Sequence, residues 1–276
     1  AAAAPLPIEQ LEITKSTPTY TMEIAYPKTG HAAIDPVLEE WAQAAARDFL
    51  EMAKDAGGPP GPWSADVSYT VARNDEAMFA VAFSHGSYTG GAHPNTYSRT
   101  FNFLMPDGVE VELPELFSAR GVKLISDLAI ERLTDDLSAL QVSDSDWIKR
   151  GAGPNGRNFR SFVLQPNELA LVFDAYQVAA YVAGPQDVTI ALAKLKGTLR
   201  ADPRAPAASF DCARAQSDVE QAICGSRALA RLDRHMSEAY AEKLSWARDA
   251  AKRDAVRAGQ REWLKERDAA CLRAAL

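Results

Sequence analysis

Residues Ala65–Ser84, ADVSYTVARNDEAMFAVAFS, decide the architecture. Residues 65–73 and 77–84 are rich in the β-branched, aromatic and small side chains that suit a pleated surface. Between them, Asn74-Asp75-Glu76 supplies the turn of an antiparallel hairpin. A second hairpin has the same grammar: Phe159–Leu164 and Leu169–Asp174 flank Gln165-Pro166-Asn167-Glu168. Working outward, Thr19–Tyr26 reads as a strand ended by Pro27, and Val188–Leu192 as the last strand. Thr96–Leu104 alternates Phe101 and Phe103 on one face with Thr100 and Asn102 on the other. Pro106-Asp107-Gly108 then turns the chain into a short strand, Val109–Leu113.

Helices occupy separate blocks. Asp35-Pro36 reads as an N-cap and a proline at the first helical position. The helix behind it places Leu38, Trp41, Ala42, Ala45, Phe49 and Met52 on one face, and Gly57-Gly58-Pro59-Pro60-Gly61-Pro62 ends it. A second helix is expected from about Gly121 to Leu140, with Ile130, Leu133, Leu137 and Leu140 in its apolar stripe. Ser143–Arg157, polar and glycine-bearing, reads as an exposed loop. Hairpin-linked strands with helices in their own blocks predict an α+β fold, a mostly antiparallel sheet packed with helices.

Ala201–Ala208 is a linker by composition, and beyond it the pattern is purely helical. Leu229, Leu232, Met236, Ala239, Tyr240 and Leu244 form one stripe; Val256, Gln260, Trp263, Leu264, Arg267 and Cys271 mark a face of the next helix. An all-α helical hairpin this small needs a staple. All three cysteines, Cys212, Cys224 and Cys271, fall in this part.

A length of 276 residues, 47% of them hydrophobic and 24% charged, is that of an ordinary two-domain globular chain, which excludes wholesale disorder. No apolar run reaches the roughly 18 residues of a membrane span. The net charge of −7 argues against general nucleic-acid binding. Residues 209–276 hold 13 Lys and Arg against 11 Asp and Glu, a net of +2, so the preceding part carries −9 and favours a basic partner. Residues 1–14 are expected to be disordered. Ala1–Pro7 reads as the mature end left by a removed signal peptide, or as a linker behind a lipid anchor. The expected location is therefore periplasmic or envelope-anchored.

The sequence holds no Gly-x-Ser-x-Gly, His-Glu-x-x-His, Walker, Gly-x-Gly-x-x-Gly or Cys-x-x-Cys motif, and its four histidines are scattered. No enzyme activity, cofactor or metal is expected. Two segments stand out as binding candidates. In Tyr88-Thr89-Gly90-Gly91-Ala92-His93-Pro94-Asn95, paired glycines and a rigid exit present Tyr88, His93 and Asn95 at low entropic cost. The structural alternative is a tight connection whose histidine bonds nearby backbone. In Asp174–Pro185, Tyr176 and Tyr181 form either a ligand-facing platform or a cover for the sheet edge. The acidic pairs Asp135-Asp136 and Asp144/Asp146 read as solvated faces.

A resemblance rests on these segments together. The Tyr88–Asn95 run, Phe101-Asn102-Phe103, Leu113-Pro114-Glu115-Leu116-Phe117 and Tyr176–Pro185, in that order, resemble the extracytoplasmic domain of RsiV-like anti-sigma factors, also found in PdaC-type peptidoglycan deacetylases. The resemblance covers about residues 15–200, with a leading α/β segment to 62 and the main sheet over 63–200. In the anti-sigma factors such a domain receives lysozyme; in the deacetylases it accompanies a separate catalytic domain. Cys212, Val219-Glu220-Gln221-Ala222-Ile223-Cys224, Tyr240, Gln260-Arg261-Glu262-Trp263-Leu264 and Cys271 resemble the LprI-type lysozyme-inhibitor domain over about 209–271, within a helical domain of 209–276. Of the three possible pairings, Cys212–Cys224 is expected, leaving Cys271 unpaired or as an alternative partner. The resemblances imply an exported protein that recognises, and inhibits, lysozyme or a related peptidoglycan hydrolase. The contact set would include Tyr88, Thr89, Gly90, Gly91, His93, Asn95, Tyr176 and Tyr181. The alternative is an envelope module that binds peptidoglycan directly without inhibiting.

Overall fold

The computed structural model describes residues 4–55 and 62–274. Six strands, β1 (Glu9–Ser16), β2 (Tyr20–Lys28), β3 (Trp63–Asn74), β4 (Met78–Tyr88), β5 (Asn95–Leu104) and β6 (Val109–Glu110), form one sheet in chain order. Neighbours are antiparallel except β2 and β3, which run parallel and are joined across helix α1 (Asp35–Asp55). The central β3–β4 hairpin is the one read from Asn74-Asp75-Glu76. Asp75 takes the backbone N–H groups of Ala77 (2.8 Å) and Met78 (2.9 Å) and an Arg73 ion pair at 2.6 Å. Burial opposes ionisation there, but these donors hold the carboxyl below the usual carboxylate range.

The N-terminal reading needs correction. The expected disordered stretch 1–14 includes the first residues of β1, which pairs along its whole length with β2. Pro27 does not end β2. It sits opposite Gln10, beyond Ile24, where the β3 pairing stops, so its missing N–H breaks no ladder on that side. Asp35 binds the turn before its helix, accepting from Thr29 N, Thr29 Oγ1 and Gly30 N at 2.7–2.9 Å. Of the expected helical face, Leu38, Ala42, Ala45 and Phe49 are buried, whereas Met52 lies in solvent. The glycine-proline stop at 57–61 lies outside the described residues.

Alternation gives the sheet two apolar faces. One packs Met22, Ile24, Phe79, Phe83, Phe101 and Phe103 against α1. The other, with Met78 and Leu104, meets a second core built from α2 (Leu113–Leu116), α3 (Ala119–Ala139), α4 (Ser145–Ala152) and an antiparallel sheet β7 (Phe162–Leu164), β8 (Glu168–Phe173), β9 (Gln186–Ala191). Thr100 and Asn102, on the polar face of β5, are buried and satisfy the free backbone edge of β7. Phe162 N donates to Thr100 Oγ1 at 2.9 Å, and Asn102 Nδ2 donates to Phe162 O at 2.8 Å.

Two local expectations change. The strand read as Val109–Leu113 ends at Glu110, and Leu113 opens α2 under a reciprocal capping box between Glu112 and Glu115. The loop read over 143–157 contains α4, capped by Asp144 accepting from Trp147 N, with Ile148 and Ala152 fully buried. Asp144 is thus a helix cap and not an idle surface acid. Leu140 ends α3 in solvent.

The C-terminal part is helical: α5 (Asp218–Gly225), α6 (Arg227–Trp246) and α7 (Ala250–Ala274). A Cys212–Cys224 disulfide ties the approach segment to α5, and Cys271 is free and exposed. The core of this part is Val219, Ile223 and Ala230. The expected α6 stripe is not its buried face: Leu232 is 63% exposed, whereas Ala230, Asp233 and Arg234 are buried. The reason is that α6 docks through charge onto the larger part of the molecule.

Candidate binding surface

The β4–β5 ladder ends at the Ser87–Asn95 pair, so the connection beyond it leaves the sheet with Thr89, Gly91 and Ala92 exposed. Gly90 adopts φ 86°, a conformation for which glycine carries no steric penalty. The second candidate segment folds against this loop. His93 and Tyr181 stack with ring centroids 3.8 Å apart and planes 17° apart, and Tyr176 continues the row 5.5 Å from Tyr181. Tyr181 Oη donates to Pro94 O at 3.1 Å, and His93 Nδ1 lies 3.0 Å from the same oxygen. His93 thus bonds nearby backbone, as its structural reading expects, and also stacks its ring on Tyr181. Tyr176, at the end of the row, is 53% exposed.

Tyr176 has φ 70°, uncommon for an aromatic residue, and its neighbours over-determine it. Trp147 Nε1 donates to Tyr176 O at 3.0 Å, and Gln177 Nε2 donates to Gly151 O (2.9 Å) and Asn158 O (2.8 Å). The backbone of α4 approaches so closely that a side chain at Gly151 would collide with Gln177 O. The ledge formed by His93, Tyr181, Tyr176 and Trp147 is thus built on α4, a helix hidden within a stretch whose composition suggests a loop. Tyr88 and Asn95 flank the loop, half-buried at the strand ends. Trp147 and Tyr97, the latter 52% exposed, were not among the sequence candidates. The signal for Trp147 was the Asp144 cap three residues ahead of a Trp-Ile pair. Tyr97 was disguised by alternation within β5, which gives it the parity of the buried Phe101 and Phe103.

A second arrangement joins the two parts of the chain. Glu115 is 1% exposed and takes Arg231 Nη2 at 2.6 Å and Arg227 Nη2 at 3.2 Å. Glu112 takes Arg234 Nη2 at 2.6 Å and His235 Nε2 at 2.9 Å, while Glu110 takes Arg231 Nη1 at 3.2 Å. Burial raises the Glu112 pKa, but its bonds to His235 and Arg234 outweigh that and hold it low. Part of the −9 excess is therefore neutralised inside the molecule. Residues 201–208, expected as a linker, are fastened as well. Arg204 makes a two-pronged pair with Asp107 at 2.7 and 3.0 Å, and Arg234 Nη1 donates to Ala207 O at 2.7 Å.

The fold is shared with a solved DUF3298 structure. A DUF3298 family protein from Pseudomonas aeruginosa superposes with a TM-score of 0.56 at 18% identity, covering 72% of this chain and 97% of that one. A member from Bacteroides fragilis gives 0.49 at 15%, covering 72% and 95%. Three family models match successive segments: deacetylase PdaC over 13–96, the DUF3298 protein of unknown function over 115–193, and lysozyme inhibitor LprI over 212–276. The peptidoglycan-N-acetylmuramic acid deacetylase PdaC of Bacillus subtilis is 26% identical over 199 residues, 70% of this chain. The chain spans 42% of that relative's length. The order of matches is that of the two resemblances read from the sequence. The ledge draws His93 from the PdaC segment and Trp147, Tyr176 and Tyr181 from the DUF3298 segment. No helix among the described residues is long and apolar enough to cross a membrane.

Proposed function

We propose that this chain is an exported envelope protein that binds lysozyme or a related peptidoglycan hydrolase and inhibits it by occupying its saccharide cleft. The observation that carries the reading is the His93–Tyr181–Tyr176 row beside the loop whose Thr89, Gly91 and Ala92 are exposed. Rigid aromatic rings at a partly exposed edge present contact area with little entropy left to lose, as anchors of protein interfaces do. The match of residues 212–276 to the lysozyme-inhibitor model supports the partner class. The acidic balance of the larger part suits a basic partner. In this reading residues 15–200 form the binding domain, 201–208 the strap, and 209–276 the inhibitor-type domain.

The test is gel filtration of the chain with hen-type lysozyme, alongside a muralytic assay. Co-elution and loss of lytic activity are expected, both weakening as salt rises, because opposite surface charges are screened. Separate elution with undiminished lysis sinks the reading for that lysozyme class.

A further inference from the structure

Beside the ledge lies a feature that a lysozyme-binding role leaves unused. Two clefts, of ≈ 440 and ≈ 240 Å³, run along the seam between β5, the turn at Gly156–Phe159 and α6, and share Arg99, Arg157 and Arg160. Three arginines converge there within a strongly acidic part of the chain. Arg157 is paired, its Nη1 3.2 Å from Glu242 Oε2. Arg160 makes one bond, from Nε to Arg157 O at 3.2 Å, and no carboxylate pairs with it among the described residues. Arg99 lies over the Phe101 ring at 4.6 Å, and its carboxylate neighbour, Glu110, stands 3.7 Å away while accepting from Arg231 at 3.2 Å. The guanidinium forks of Arg99 and Arg160 therefore keep open donors toward the cleft.

The opposite chemistry stands beside them. Asp174 accepts from Ser98 N at 2.8 Å and Glu238 from Gly156 N at 3.1 Å, and among the described residues neither has a cation within ion-pair distance. Burial pushes both carboxyls up and the Arg99 guanidinium down, so each wall of the cleft is charged at a cost. Planar guanidinium forks suit a carboxylate, and lone carboxyls suit hydroxyl or amide N–H donors. An acidic peptide, with several carboxylates, would meet Asp174, Glu238 and the Glu110, Glu112 and Glu242 that also line the clefts with like charge, whereas a single carboxylate can be confined to the arginines. A neutral sugar would leave the arginines unanswered.

We propose that these two clefts, joined at Arg99, Arg157 and Arg160 with Asp174 on one side and Glu238 on the other, form one binding site for a carboxylate-bearing saccharide. Arg99 and Arg160 take the carboxylate, Asp174 and Glu238 accept from the hydroxyl and amide groups, and Tyr97 stands at the mouth. The site is separate from the ledge and does not depend on lysozyme binding. The test titrates the full chain by calorimetry with N-acetylmuramic acid and with N-acetylglucosamine, which shares the ring and N-acetyl group but lacks the carboxylate. At least tenfold tighter binding of the acid is expected, with a tenfold loss in Arg99→Ala and in Arg160→Ala. Lysozyme co-elution should be unchanged in both variants. Equal binding of the two sugars, binding of neither, or wild-type affinity in Arg160→Ala overturns the proposal. Arg160 is exposed, so that variant stays informative if loss of the Arg99–Phe101 packing unfolds the other. Saccharide binding without lysozyme co-elution would overturn the lysozyme reading alone.

Discussion

Arg231 Nη2 donates to the buried Glu115 carboxylate at 2.6 Å, across the seam between the sheet-bearing part and α6. Glu115 also closes the α2 capping box, with Glu112 N donating to its Oε2 at 2.8 Å. One carboxylate thus caps a helix and anchors α6. Glu115→Ala would leave Arg227 and Arg231 at the seam without their shared partner. Breaking a buried pair from one side costs about 3–5 kcal/mol, and Arg227 Nη1 is already buried without a bond among the described residues. Chemical denaturation should show a loss of about 3 kcal/mol, and Glu115→Gln, which keeps an acceptor, should lose less.

Two neighbouring glutamates should respond to pH with opposite signs. The Glu112 pKa is lowered in the fold, so its contribution is fully present above its ordinary value of 4.5 and is lost as pH falls through the folded value. The Glu238 pKa is raised by burial, so it opposes folding above its folded value, and the penalty vanishes below 4.5. Thermal melts should show Glu112→Gln lowering Tm at pH 7 and Glu238→Gln raising it. The Glu238 difference should shrink as pH falls toward 4.5, whereas the Glu112 difference should persist there and shrink only at lower pH.

Tyr181 lies between His93 and Tyr176 and also bonds Pro94 O, so it is the keystone of the ledge. If the ledge is the lysozyme anchor, Tyr181→Ala should weaken lysozyme binding by a factor of about 30, the effect of losing a hot spot of about 2 kcal/mol. Tyr181→Phe keeps the ring and loses one bond, and should cost far less. Calorimetry on both variants separates the contributions.

Gly151 lets α4 lie against Gln177, which holds the backbone of Tyr176. Gly151→Ala forces that backbone away and should destabilise the fold by about 1–3 kcal/mol, as overpacking does. The fluorescence of Trp147, bonded to Tyr176 O, should report the shift before global unfolding.

Among the described residues the buried core of the helical part is Val219, Ile223 and Ala230, with Ala208 and Phe210 packed against it, so the Cys212–Cys224 link bears much of its stability. Replacing both cysteines by alanine opens a loop spanning a separation of 12 residues and should cost about 2–3 kcal/mol. Proteolysis of the helical part should then quicken, while the sheet-bearing part resists. Native protein should present a single reactive thiol, Cys271.

Much of the fold was legible because local chemistry dictates it. The Asn74-Asp75-Glu76 turn and the alternation of Phe101 and Phe103 each depend on residues near one another in the chain. Misreadings came where polar composition hid a tertiary role. Asp144 and the glycines of 143–157 disguised α4, whose buried face is Ile148, Gly151 and Ala152. The candidate site was half legible: the segments at 88–95 and 174–185 stood out separately, each as a glycine-punctuated aromatic run.

What the sequence by itself determined was the kind and order of the central strands and the long helices, and the unusual residues of two loops, since propensity, periodicity and turn chemistry act over a few residues. Only the tertiary structure decided that Tyr181 reaches Pro94 across 87 residues, making one ledge of two loops. It also decided that α6 buries Arg234 and Asp233 instead of its leucine stripe. Both outcomes depend on what each group meets once it leaves water. A ring row gains by stacking at an edge only once the two loops meet. Arginines tolerate burial only where Glu110, Glu112 and Glu115 are waiting across the seam.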